Sequence, residues 1–128
     1  MRLLLDTCTF LWIAAGAPRL TRRAAELFQA PDNNVYLSAA SAWEIAVKHD
    51  LGRLVLPQPP EPFVREMREA HGVTSLAIDE ESVLHLSRLP SLHRDPFDRM
   101  LVSQAIVHGL TILTPDPLIA QYPARTAW

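Results

Sequence analysis

The chain has 128 residues, 48% of them hydrophobic, which suits one compact domain over residues 1–128 and leaves no room for a second. A net charge of −2 and a pI near 6.2 provide no global basic footprint, so a nucleic acid would have to be held by a local patch or through cations. The lone cysteine, Cys8, excludes an intramolecular disulfide and a thiolate metal cluster, and no window approaches the roughly 18 apolar residues of a membrane span, so a cytoplasmic protein is expected.

In chain order, Leu3 to Leu5 is a continuous apolar run, the pattern of a strand buried on both faces of a parallel sheet. Phe10 to Ala15, stopped by Gly16, predicts a short helix, and Thr21 opens a second over Arg22 to Gln29. Asn33-Asn34 marks a turn before a strand at Val35 to Leu37, and Ser38 caps a helix running to His49 that Leu51-Gly52 closes. Prolines 57, 59, 60 and 62 predict a stiff loop over 57–62, because each removes a backbone donor and fixes φ. A helix over Phe63 to Ala70, a strand over Val73 to Leu76 and a helix introduced by Ile78-Asp79 follow. Asp95-Pro96 marks the start of a helix that stops at Gly109, Leu110 to Leu113 is the next strand, Asp116-Pro117 opens a short helix, and Ala124 to Trp128 supplies an edge strand. Alternating strands and helices predict an α/β fold, a three-layer α/β/α sandwich with a central parallel sheet whose ligands gather beyond the strand carboxyl ends.

Four acids fall where that edge would collect them: Asp6, Glu44, Asp98 and Asp116. Carboxylates in such a group suit hard divalent cations that retain water for chemistry, and the set reads as a metal-dependent nuclease site. Each also has a local structural reading. Asp95-Pro96 with Asp98 has the form of a capping box, Asp116-Pro117 of a cap, and Glu44 with Lys48 of an i,i+4 ion pair. Asp6, an acid ending a buried strand, gains no obvious helix pair and must be hydrated, capped or metal-bound, and convergence would bind the four into a single signal through mutual repulsion that a cation relieves.

The motifs resemble a family. Leu3-Leu4-Leu5-Asp6-Thr7, SAASAWEIAVK over 38–48 followed by LGRL over 51–54, HRDPFDRMLVSQA over 93–105, and GLTILTPD over 109–116 are similar, in order and across essentially the whole chain, to PIN-domain proteins of the VapC toxin type. The resemblance implies an endoribonuclease dependent on Mg2+ or Mn2+, with Asp6, Glu44, Asp98 and Asp116 as catalytic and metal-holding residues and RNA as substrate. It further implies a cognate small protein antitoxin and, together with the apolar stretch Phe10 to Ile13, a homodimer. Water attacking in line would leave a 5′-phosphate product. Thr7 and Thr114 would hydrogen-bond the carboxylates, Asp95 would cap its helix, and Arg99 would either pair with Asp95 or contact a phosphate.

Other side chains read more plainly. The histidines at 49, 71, 85, 93 and 108 form no close ligand pattern and are read as structural or surface residues. Cys8, Trp12 and Trp43 are read as core, and Arg22-Arg23 and Arg65 with Arg68 as solvated helix faces. Phosphatases with a nucleophilic Asp after the first strand need an acid two residues later, where this chain has Cys8, and a receiver domain needs a late Lys, whereas the only Lys is Lys48. The alternative from another class is a catalytically weak PIN-like module that binds RNA or protein.

Overall fold

A computed structural model describes residues 1–128. Its elements are β1 (Arg2–Leu5), α1 (Thr7–Ala15), α2 (Arg22–Gln29), β2 (Asn34–Ser38), α3 (Ala39–Asp50), α4 (Pro60–His71), β3 (Thr74–Leu76), α5 (Glu80–His85) with a following 3-10 turn (Leu86–Arg88), α6 (Pro96–His108), β4 (Thr111–Leu113), α7 (Pro117–Ala120) and β5 (Arg125–Ala127). Every strand pair is parallel, in the order β3-β2-β1-β4-β5.

The leucines of β1 explain the layering. Leu3 and Leu5 point to one face with Phe10, Ala24, Leu37, Ile45 and Phe63, whereas Leu4 points to the other with Leu101, Ala105, Ile112 and Ile119. All three are fully buried, so truncating any one to Ala would cost about 2–5 kcal/mol. Helices α1 to α4 cover the first face; α6 and α7 cover the second, with α5 against α6. No helix is long and apolar enough to cross a membrane.

Strand β1 pairs with β2 on one side and with β4 on the other, so the chain leaves β1 in opposite directions on its two flanks. Such a reversal opens a crevice at the strand carboxyl ends. Asp6 follows β1 and Thr114 follows β4 at that point. Buried Gln104 on α6 supports the same edge, accepting from the Ser38 hydroxyl and donating to the Ala77 carbonyl at 2.9 Å.

Several expectations need correction. Helix α1 begins at Thr7 rather than Phe10, because Asp6 caps it by accepting the Thr9 N–H at 2.7 Å. The proline stretch is not all loop: Pro60 and Pro62 occupy the first turn of α4, where backbone N–H groups have no helical acceptor and proline sacrifices nothing. Phe10 is fully buried, so of the stretch Phe10 to Ile13 only Leu11 to Ile13 retain exposure. Cys8 is exposed, because it faces away from β1 while its neighbours Thr7 and Thr9 face inward. Trp43 is 58% exposed, packed edge-on against Phe97 with ring centroids 4.9 Å apart, whereas Trp12 is half-buried against Trp128.

Candidate active site

Asp6 is buried at the mouth of the crevice. One carboxylate oxygen accepts the Thr9 N–H and the other accepts the Thr114 hydroxyl. Burial pushes its carboxyl above the ordinary value, the hydrogen bonds from Thr114 and Thr9 oppose that shift, and the negative charge of Asp116 adds to it. Thr114 also accepts the Asp116 N–H at 3.0 Å, so one hydroxyl orders both acids. Asp116 caps α7 through the Leu118 N–H at 2.8 Å and leaves its second carboxylate oxygen without a protein donor.

Glu44 enters from the buried side of α3, whose start is fixed by Ser38 accepting the Ala40 N–H. Its Oε1 accepts the Thr7 hydroxyl at 2.6 Å and its Oε2 accepts from Lys48. That hydrogen bond holds the Lys48 ammonium above its usual value. The pair is therefore more than the surface ion pair that its i,i+4 spacing advertises, since the Glu44 member is buried.

Asp98 stands in the first turn of α6. Asp95 caps that helix, accepting the Phe97 and Asp98 N–H groups at 2.8 and 3.2 Å, so its cap role holds. Burial pushes the Asp98 carboxyl up to about 6; the His93 hydrogen bond opposes this, and the charges of Asp95 and Glu44 reinforce it. Repulsion thus reaches from Asp98 to Glu44 and from Asp6 to Asp116. Although Cys8 is an exposed residue, its thiol is partly shielded from water and lies in the same field, raised first by that desolvation and then by the charges of Asp6 and Glu44.

The tightest donor group differs from the sequence reading. His93, Asp98 and Asp116 each offer one atom within 4.8 Å of the others, whereas the Asp6 and Glu44 carboxylates, outside this group, are engaged by threonines. Read as structural from the sequence, His93 enters the site because the bend before α6 folds it back over the Asp98 carboxylate, with Nε2 at 2.8 Å from Oδ2. Its position five residues before Asp98, just ahead of the Asp95-Pro96 helix start, was the available signal. Arg99 makes no ion pair with Asp95: it donates to the Pro90 and Leu86 carbonyls at 3.0 and 3.2 Å and to the Tyr122 hydroxyl at 3.1 Å. An open cavity of about 710 Å3 borders His93, lined also by Ser91, Leu92, Arg94, Arg99 and Leu118.

These carboxylates fit a hard cation. Asp6 and Asp98, whose carboxyls burial and neighbouring acids push up, gain when a divalent ion replaces the proton, and Asp98 and Asp116 each keep an oxygen without a protein donor.

The sequence matches the PIN domain family over residues 3–124. The chain belongs to the PIN-domain family. It is 37% identical over 73 residues to Ribonuclease VapC16 of Mycobacterium tuberculosis, an alignment covering 57% of this chain and 50% of that protein, so it spans about half the length of this curated relative. Its fold superposes on a chain of VapBC2 from Rickettsia felis, crystallised bound to a promoter DNA fragment, with a TM-score of 0.75 at 13% identity, covering 99% of this chain and 98% of the other. A chain of VapBC-1 from nontypeable Haemophilus influenzae gives a TM-score of 0.67 at 18% identity over 99% and 97% of the two chains. At such identities these structures establish the PIN-like fold.

Proposed function

We propose that this PIN-domain protein is a divalent-metal-dependent endoribonuclease acting as the toxin of a bacterial toxin–antitoxin pair. The observation that carries the reading is that carboxylates from separated segments lie close enough to act on one another, Asp116 on Asp6 and Glu44 on Asp98, with Asp98 and Asp116 offering atoms within 4.8 Å of each other and Asp6 at the carboxyl end of β1. The family match and the relative named a ribonuclease support it, as do structural neighbours named as VapBC complexes.

Asp6, Glu44, Asp98 and Asp116 would hold Mg2+ or Mn2+. Bound there, the cation lowers the pKa of a coordinated water and neutralises charge developing on the scissile phosphate. The chain's own residues keep the carboxylates in place: Thr114 steadies Asp6 and Asp116, Thr7 and Lys48 steady Glu44, and the Asp95 cap holds the helix end that carries Asp98. RNA is the substrate, a small protein antitoxin is the physiological inhibitor, the active form is a homodimer, and the compartment is the cytoplasm.

Purified protein and Asp98→Asn, each incubated with total bacterial RNA plus Mg2+, Mn2+ or chelator, test the reading. Discrete fragments with 5′-phosphate ends, made by the unaltered protein alone and abolished by chelator, are expected. No metal-dependent cleavage of any RNA would instead favour a binding module.

A further inference from the structure

The acids alone would give an all-oxygen site, yet the densest donor cluster in the molecule contains a nitrogen. His93 Nε2 and carboxylate oxygens of Asp98 and Asp116 lie within 4.8 Å of one another. Ligands about 2.1 Å from a common ion stand at most about 4.2 Å apart, so a side-chain shift of a few tenths of an ångström would let all three reach one cation. Their chemistry is complementary: an imidazole whose Nε2 is turned inward, and two carboxylates that each retain an uncommitted oxygen.

A surface ion pair would explain the His93–Asp98 contact alone. It explains less well why Asp116, on a different element, shares the cluster, or why the backbone behind the imidazole is tied down. The His93 carbonyl accepts the hydroxyl of buried Tyr122 at 3.4 Å, and that hydroxyl in turn accepts from Arg99, which also grips the Pro90 carbonyl. The side chain is thereby delivered to Asp98 from a braced segment.

We infer that His93, through Nε2, is a direct ligand of the divalent cation shared with Asp98 and Asp116, giving a mixed nitrogen and oxygen site that favours Mn2+ over Mg2+. The inference rests on the metal-dependent reading above. When the cation binds, Nε2 must be unprotonated: any proton shared with Asp98 leaves to solvent, and the single hydrogen bond is replaced by two bonds to the metal. Mg2+ prefers oxygen ligands and retains several waters, whereas imidazole binds later divalent ions better, so the nitrogen confers selectivity that carboxylates alone lack.

Mn2+ is the probe, added to tag-free protein containing either natural-abundance or 15N-labelled histidine, with pulsed electron paramagnetic resonance as the readout. The expected result is a 14N modulation in the unlabelled protein that changes to the 15N pattern on labelling. His93→Gln should abolish the modulation and weaken Mn2+ binding about tenfold while shifting Mg2+ affinity much less. Saturable Mn2+ binding without nitrogen modulation would overturn the inference and leave the acidic metal site standing. Absence of saturable binding would overturn both. Even if His93→Gln folds poorly, the labelled and unlabelled spectra show whether a histidine nitrogen binds the ion, and His93 is the histidine of the cluster.

Discussion

The Thr7 hydroxyl donates to Glu44 Oε1 at 2.6 Å, joining the first turn of α1 to the middle of α3 inside a buried pocket. A hydroxyl that neutralises no charge is thus what keeps an otherwise costly buried carboxylate in register. Thr7→Val keeps the shape and removes the donor. It should lower stability in urea by about 1–3 kcal/mol and reduce Mn2+ affinity, whereas Thr7→Ser should restore both.

Asp98 makes stability fall as pH rises. Its carboxyl is raised from 3.8 to about 6 in the folded protein, so the folded state holds the proton more tightly than the unfolded state. The resulting stabilisation is complete below about pH 4 and is lost as pH rises through about 6. Asp98→Asn removes the ionisation and should be the more stable protein at pH 7, by on the order of 2 kcal/mol, with the difference vanishing near pH 4. Denaturation series at several pH values measure it.

Under the proposed function the same proton should compete with the metal. Mn2+ affinity should drop up to about tenfold per pH unit below about pH 6 in the unaltered protein, where Asp98 takes up its proton. Calorimetric titrations from pH 5 to 8 give the slope, and a flat profile would remove Asp98 from the ligand set.

Asp79 behaves oppositely. His108 donates to it at 2.7 Å and holds its carboxyl down at about 2, while Asp79 also caps α5 through the Ser82 N–H. The stability it supplies is present above about pH 4 and disappears as pH falls toward 2. Asp79→Ala should cost about 1 kcal/mol at pH 7 by removing the cap, and Mn2+ binding should be unchanged.

Arg99→Lys retains a charge but not the guanidinium fork that reaches Leu86, Pro90 and Tyr122 together. The segment bearing His93 should loosen, lowering the midpoint of thermal unfolding by several degrees, or about 1–2 kcal/mol, and weakening Mn2+ binding. Unchanged Mn2+ affinity in a destabilised variant would confine Arg99 to a structural role.

Most of the architecture was legible because its signals are local. Leu3 to Leu5 can be buried on both sides only in a covered parallel sheet, and Asp95-Pro96 is a helix start in any context. What escaped depends on direction rather than pattern. Cys8 and Trp43 are apolar residues whose exposure is decided by which side of a short helix meets the sheet, and both helices here present weakly segregated faces. His93 lies in an irregular bend whose path is set by Arg99 and Tyr122, contacts spanning up to 29 positions that no periodicity encodes. For Asp6 the sequence leaves hydration, capping and metal binding open, and the structure shows the cap, with the Thr9 N–H donating to its carboxylate.

The pairing of β1 with β4 sets a schedule as well as a shape. Thr114, the hydroxyl that fixes Asp6, and Asp116 stand 108 and 110 positions after it, on the far side of α6. Each half of the pocket is therefore incomplete until β4 slides in beside β1, so the long-range parallel pairing that completes the centre of the sheet also assembles the pocket, late in folding.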